Sequence, residues 1–266
     1  MDMRLRGKRA LVTGSTSGIG RAIACGLARE GAAVVVHGRD AERAKDTAEV
    51  IVAERGRAAV ALGDLADDMA AAAVAERAWD AFGGIDILVN NAGGLGTDGW
   101  DAATAADWLA LYDSNVGSAV RMIRALSPGM RANGYGRIIQ IGSAANPNPL
   151  PNRAAYSAAK AALANLTVSL AKELAGTGVT ANTISPGPTR TDGFRELAAH
   201  FAEQHGLPDI ESATRVLLEG PLNSPSHRLT EPEEIAALVA FVASPFGASV
   251  NGANLRIDGG FTPTVN

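Results

Sequence analysis

The stretch KRALVTGSTSGIGRAIACGLAREG, residues 8–31, decides the fold. A short apolar run at 8–14 passes directly into a turn holding Gly14, Gly18 and Gly20, and then into a segment of helical period. Glycines between a strand and its helix permit a tight turn and close approach of backbone to a pyrophosphate. The helix N-terminus adds unpaired N–H groups and a favourable dipole. The spacing is G-x-x-x-G-x-G, and no Gly-Lys-Ser/Thr ends the loop, so a Walker-type phosphate loop is excluded. Taken alone, the turn also fits an ordinary strand–helix connection.

Outward from this unit the rhythm repeats. Strands are predicted at 8–14, 32–38, 58–62, 86–93, 137–143, 179–185 and 254–257. Helices are predicted near 18–30, 40–55, 67–82, 103–132, 155–175 and 231–243. The strands read as continuous apolar runs, as in a parallel sheet covered on both faces. The expected fold is α/β: one doubly wound Rossmann-type domain over residues 1–266, with a parallel sheet of about seven strands and helices on both faces. Only 191–230 breaks the rhythm, with two short helices expected between prolines.

Composition sets limits. A 47% hydrophobic fraction over 266 residues supports a sizeable core, and a net charge of −4 points to neither nucleic acid nor an anionic membrane. The first residues reach a polar loop too soon for a signal peptide, and no apolar run spans a bilayer, so a cytoplasmic location is expected. Cys25 is the only cysteine and sits in an apolar helical pattern, which rules out a disulfide within the chain. His37, His200, His205 and His227 form no i,i+4 pair and lie near no cysteine, so no metal site is expected. A serine-hydrolase elbow is missing, because QIGSAAN lacks the second glycine.

The end of the second strand bears on the nucleotide. An acid there accepts from a ribose 2′-OH and repels a 2′-phosphate. In AAVVVHGRDAER that place is Gly38, and Arg39, which can pair a phosphate bidentately, follows it. NADP(H) is therefore favoured, with Asp40 beside the arginine weakening the field and NAD(H) left possible.

A second constellation is RAAYSAAKAAL, residues 153–163. Tyr156 and Lys160 stand at i and i+4 on one helix face. A free phenol has a pKa of about 10, and a nearby ammonium favours the phenolate and brings that value down. Four residues after Tyr112 is Val116, and after Tyr135 is Ile139, so the other tyrosines lack the arrangement. Ser143 ends the fifth strand, placed to donate to a substrate oxygen.

GDLAD after the third strand, NNAG ending the fourth, Asn115 in the next helix, Ser143, YSAAK and NTISPGPTRT follow in order. The whole set resembles the compact branch of the short-chain dehydrogenase/reductase family across nearly the entire chain. The resemblance implies a catalytic tetrad of Asn115, Ser143, Tyr156 and Lys160. It implies that Gly14, Ser15, Ser17, Gly18, Ile19 and Gly20 form the phosphate loop, with Ser17 departing from the basic residue of many NADP-dependent relatives. It further implies Asp64 and Leu65 at the adenine, and Asn91, Ala92 and Gly93 behind the ribose. Pro186, Gly187, Thr189 and Thr191 would hold the nicotinamide amide, and Tyr156 with Lys160 would also touch the cofactor.

The implied activity is interconversion of a carbonyl and a secondary alcohol, as a ketone or 3-oxoacyl reductase. A non-catalytic NADP-binding regulator is the alternative, although such proteins typically lose the tyrosine or the lysine. The substrate wall is expected from 144–152 and from the 191–230 insertion, either as a lid or as a face packed on the domain. Its apolar face would be Phe194, Leu197, Ala198 and Phe201. Arg131 and Lys172 are candidates for a basic rim that would receive a carrier protein. The helices at 103–132 and 155–175 are expected to pair between copies in a homotetramer, with RIDGGFTPTVN at a second interface.

Overall fold

The computed structural model describes residues 2–96 and 99–264. Seven parallel strands form one sheet: β1 (Arg9–Val12), β2 (Ala33–Gly38), β3 (Arg57–Leu62), β4 (Ile87–Asn90), β5 (Gly136–Ile141), β6 (Val179–Pro186) and β7 (Asn254–Ile257). Their spatial order is β3-β2-β1-β4-β5-β6-β7. The chain order reverses between β1 and β4, which opens a crevice above their C-terminal ends.

Side chains of each strand alternate between two cores. Val34, Val36, Ile87 and Val89 join a cluster containing Ile23 and Leu27 of α1 (Gly18–Arg29) and Ile235 and Val239 of α9 (Pro232–Ala243). Val35, Leu88 and Ile138 face the other way, onto Val74 and Ala78 of α3 (Asp68–Phe82) and Met122, Leu126 and Met130 of α5 (Ser118–Ala132). Both faces of the sheet are therefore apolar, and the continuous runs in the sequence follow from that. α2 (Ala41–Ala53) completes the first layer, and α6 (Ala154–Glu173) the second.

Three features differ from the sequence-based expectation. β1, β4 and β5 stop two or three residues short of their predicted ends near the crevice. Thr13, just past β1, still donates its N–H to Val89 O at 2.9 Å, and its hydroxyl accepts from the N–H groups of Asn91 and Ala92, both at 3.0 Å. The predicted helix 103–132 is two helices, α4 (Ala105–Tyr112) and α5, joined by a π turn at Asp113–Gly117. The cause is competition for one carbonyl: Asn115 Nδ2 and Ser114 Oγ both donate to Leu111 O at 3.0 Å. Side chains that bond the preceding turn widen a helix, and such turns gather at functional sites.

The third difference lies in the insertion, which forms α7 (Asp192–His205) and α8 (Ile210–Glu219) as expected, but packs only three of the four residues of the expected face. Ala198 and Ala202 pack on Ala213 and Leu217, flanked by Phe194 and Phe201, while Leu197 is 42% exposed. The expected face is thus turned so that Leu197 looks to solvent. The outward side of α4, α5 and α6 shows exposed Leu109, Val120 and Val168. Of the C-terminal stretch RIDGGFTPTVN, positions 265–266 lie outside the described residues. No helix among the described residues is long and apolar enough to cross a membrane.

Candidate active site

A cleft of about 1130 Å³ runs over the β1–β4 reversal. Gly14, Ser17, Gly18, Ile19 and Gly20 line it, as do Gly38, Arg39, Asp64, Leu65, Asn91, Ala92, Gly93 and Thr191. Most of the residues proposed for cofactor binding are thus in one wall.

The phosphate turn is built for close backbone approach. Gly14 has φ +62° and Gly18 φ +51°, values that side chains disfavour. A Cβ on Gly20 would collide with the Gly14 carbonyl. Asn91 Nδ2 ties β4 to the turn by donating to the carbonyls of Thr13 (3.0 Å) and Gly14 (2.9 Å). Ser17 precedes α1 in extended conformation without a side-chain cap, and the first turn of α1 holds no acid. The N–H groups and dipole of α1 therefore face the cleft uncompensated, which fits a pyrophosphate.

Ser15 is a correction. It is fully buried, its hydroxyl donating to Val12 O (2.7 Å) and accepting from His37 N–H (2.9 Å), so it braces the turn from behind and does not line the cleft. Pro186, Gly187 and Thr189 also lie outside the cleft wall. Pro186 O accepts from Ala144 N–H, Gly187 N–H donates to Ile257 O, and Thr189 Oγ1 donates to Gly187 O. Only Thr191 of that group reaches the wall.

At the adenosine end a Cβ on Gly38 would collide with Thr16 Cγ2, so a carboxylate cannot be placed there without moving Thr16. Arg39 pairs with Asp64 across the rim at 3.8 Å, both exposed. Asp40 is spent on α2, accepting from Arg43 N–H at 3.1 Å. Arg43 also lines the cleft. Sequence reading missed it, although it stands in the first turn of α2, four residues after Arg39.

None of the four catalytic candidates lines this cleft: Asn115 lies in the π turn, Ser143 follows β5, and Tyr156 and Lys160 stand on α6. Asn115 sits in the π turn, 1% exposed, and a Cβ on Gly93 would run into its Oδ1. Its Nδ2 donates to Gly94 O as well as to Leu111 O, so it anchors the loop after β4. Ser143 is held by Asn146, whose Oδ1 accepts from Ser143 N–H (3.2 Å) while its Nδ2 donates to Ser185 Oγ (2.8 Å). Ser185 Oγ donates onward to Asn254 Oδ1 at 2.6 Å. The residue expected in the substrate wall instead fixes the serine. Ser143 Oγ accepts from Ala145 N–H at 3.1 Å, which fixes the hydroxyl beside the phenol of Tyr156.

Tyr156 and Lys160 share the inner face of α6, with Lys160 Nζ 5.7 Å from the phenol ring centre. Burial raises the Tyr156 phenol above its ordinary value, and the hydrogen bond with Ser143 and the charge of Arg153 oppose it. Here the structure departs from the expectation that Lys160 does the lowering. Lys160 Nζ donates instead to Ile141 O at 2.9 Å, and burial pushes its own pKa down to about 8. Near pH 8 the lysine holds both protonation states, which suits a group that passes a proton.

Arg131 and Lys172 are misplaced for a substrate rim. They lie at the C-terminal ends of α5 and α6, which feed the N-terminal ends of β5 and β6, so they stand at the opposite edge of the sheet from the cleft. Arg131 pairs there with Glu173 at 3.5 Å. Among the described residues, no group of three or more His, Cys, Asp or Glu could hold a metal ion.

Fold and site together define a dinucleotide-dependent oxidoreductase, and the chain belongs to the short-chain dehydrogenases, whose family model matches residues 8–201. It is 38% identical over 262 residues to D-beta-hydroxybutyrate dehydrogenase of Cupriavidus necator, covering 97% of this chain and 98% of that one. Its fold matches L-sorbose reductase from Gluconobacter frateurii complexed with NADPH and L-sorbose, with TM-score 0.95, 34% identity and full coverage of both chains. It also matches 7 alpha-hydroxysteroid dehydrogenase complexed with NADH and 7-oxo glycochenodeoxycholic acid, with TM-score 0.84, 31% identity, and coverage of 100% of this chain and 98% of that one. Similar structures thus hold nicotinamide cofactors with and without the 2′-phosphate.

Proposed function

We propose that this protein reduces a ketone to a secondary alcohol, or runs the reverse reaction, with Tyr156 exchanging the proton and NADPH as the preferred reductant. The observation that carries the reading is Tyr156 and Lys160 on one face of α6, with Lys160 Nζ 5.7 Å from the phenol ring centre, in a fold whose glycine cradle backbone and phosphate can share. When bound, the reduced nicotinamide supplies hydride to the carbonyl carbon. Tyr156 protonates the oxygen, and the Ser143 hydroxyl donates to it as charge develops there. Lys160 restores the phenol's proton, with the π turn at Asn115 holding the route behind it.

The substrate reading is a free polar ketone. Asn148 and Asn152 punctuate the loop after Ser143, and the bases proposed for a carrier-protein rim stand at the wrong edge of the sheet. A likeness to a reductase complexed with L-sorbose supports hydroxylated substrates. Exposed Leu109, Val120 and Val168 support assembly into a tetramer through α4–α6. Light scattering at micromolar concentration tests that, and a monomer would refute it.

Tyr156→Phe keeps the ring and removes the acid. Dinucleotide binding should stay near normal while turnover falls by at least ~100-fold, the usual scale for losing a general acid. A variant keeping more than about half its rate would remove Tyr156 from the mechanism.

A further inference from the structure

We propose that His37 is a positioning residue for the dinucleotide, a neutral imidazole strut that sets the spacing between the phosphate turn and the adenine wall. The inference rests on the dinucleotide reading of the cleft. His37 ends β2 one residue before Gly38, is 3% exposed, and lines the cleft together with Gly14 and Gly63.

Both ring nitrogens are engaged by backbone. Gly14 N–H donates to Nδ1 at 3.1 Å, and Nε2 stands 3.2 Å from Gly63 O. A backbone N–H can only donate and a carbonyl can only accept, so both contacts demand the same tautomer: hydrogen on Nε2, none on Nδ1, no charge. The His37 backbone locks into the same turn, its N–H donating to Ser15 Oγ (2.9 Å) and its carbonyl accepting from Ser15 N–H (2.8 Å). One residue thus joins the three crossings, β1–α1, β2–α2 and β3–α3, that face the adenosine half of the cleft. Gly14 sits at positive φ, where the turn has little steric reason to hold its shape by itself.

The protonation state follows from the surroundings. Burial chiefly, with Arg39 adding to it, pushes the imidazole pKa down to about 4, against the opposing pull of the Gly63 carbonyl and Asp64. A proton on Nδ1 would set two donors against each other at Gly14 and break the strut.

The test separates the two contacts. Asn at 37 can place its Oδ1 where Nδ1 lies, preserving the Gly14 bond. Gln reaches the Nε2 position and preserves the Gly63 bond. Leu removes both. NADPH and NADH affinities are measured by fluorescence titration, and kcat and carbonyl KM at saturating cofactor. His37→Leu should weaken dinucleotide binding about tenfold, the scale of two lost hydrogen bonds, with kcat and carbonyl KM within about twofold of wild type. His37→Asn should recover most of the loss. Equal affinities for wild type and His37→Leu, equal losses in Leu and Asn, or a loss confined to kcat would each overturn the proposal. Should His37→Leu fail to fold, the decision passes to Asn against Gln: tighter binding by Asn supports the strut through Gly14, and equal or weaker binding overturns it. Wild type that binds neither dinucleotide would sink the reading of the cleft itself. Normal wild-type binding with indifferent variants would sink only the strut.

Discussion

At the dinucleotide end of the cleft, Gly14, Ser15, His37, Gly63 and Asn91 are tied to one another by backbone and side-chain hydrogen bonds. At the end proposed for the substrate, α7 and α8 bury a small cluster of their own, apart from the two main cores. Their polar ties to the body run through short contacts such as Arg190 with Glu231 and the Thr189–Thr230 bridge. The first end is over-determined, and any change of shape there propagates through several strands. The second packs chiefly on itself and meets the first only at the start of α7, the kind of element that opens and closes at modest cost. A braced end and a loosely tied one are thus built into one chain.

The cofactor end offers the larger test of that contrast, because crowding there should make single substitutions behave unlike paired ones. Gly38→Asp alone puts a side chain onto Thr16 Cγ2, so it should weaken NADPH and NADH alike, by roughly tenfold. Pairing it with Thr16→Gly frees the space, and the carboxylate can then accept from the ribose 2′-OH. The double variant should move the kcat/KM ratio toward NADH by about 100-fold, near 2.7 kcal/mol. Arg39→Ala should lower NADPH kcat/KM only about tenfold, because Arg43 still faces the cleft. A single Gly38→Asp that switches preference unaided would show that the end is softer than its hydrogen bonds imply. Wild type that prefers NADH would overturn the reading of HGRD.

How much was legible follows the same division. The sheet, its order of motifs and the phosphate turn could be read because each depends on neighbours in sequence: glycine spacing, apolar period, a tyrosine one turn from a lysine. What escaped depends on distance in space. Ser15 reads as a phosphate ligand until β2 arrives and His37 takes its hydroxyl. Asn146 reads as substrate wall until β6 and β7 supply Ser185 and Asn254. The π turn comes from two side chains seeking one carbonyl, a local signal that helical period conceals. Arg131 and Lys172 were misjudged for a simpler reason: helix C-termini in a parallel sheet lead to the edge away from the site.

The smallest effect is expected at α7, where the sequence-based apolar face and the packed face differ. Leu197 is 42% exposed and lies outside the Ala198–Ala202–Ala213–Leu217 cluster, so Leu197→Ser should leave stability within about 0.5 kcal/mol, as surface substitutions do. If α7 closes over the substrate, the lost apolar surface appears where the lid meets a carbonyl compound. Carbonyl KM should then rise about threefold with kcat and dinucleotide affinity unchanged, the signature of binding removed equally from ground and transition states. The measurement is a KM–kcat split over several ketones, with a melting curve for the same variant. An unchanged KM for every ketone would mean that Leu197 never meets substrate. A changed dinucleotide affinity would mean that α7 and the phosphate turn are coupled, and the contrast between a braced end and a free one would fail.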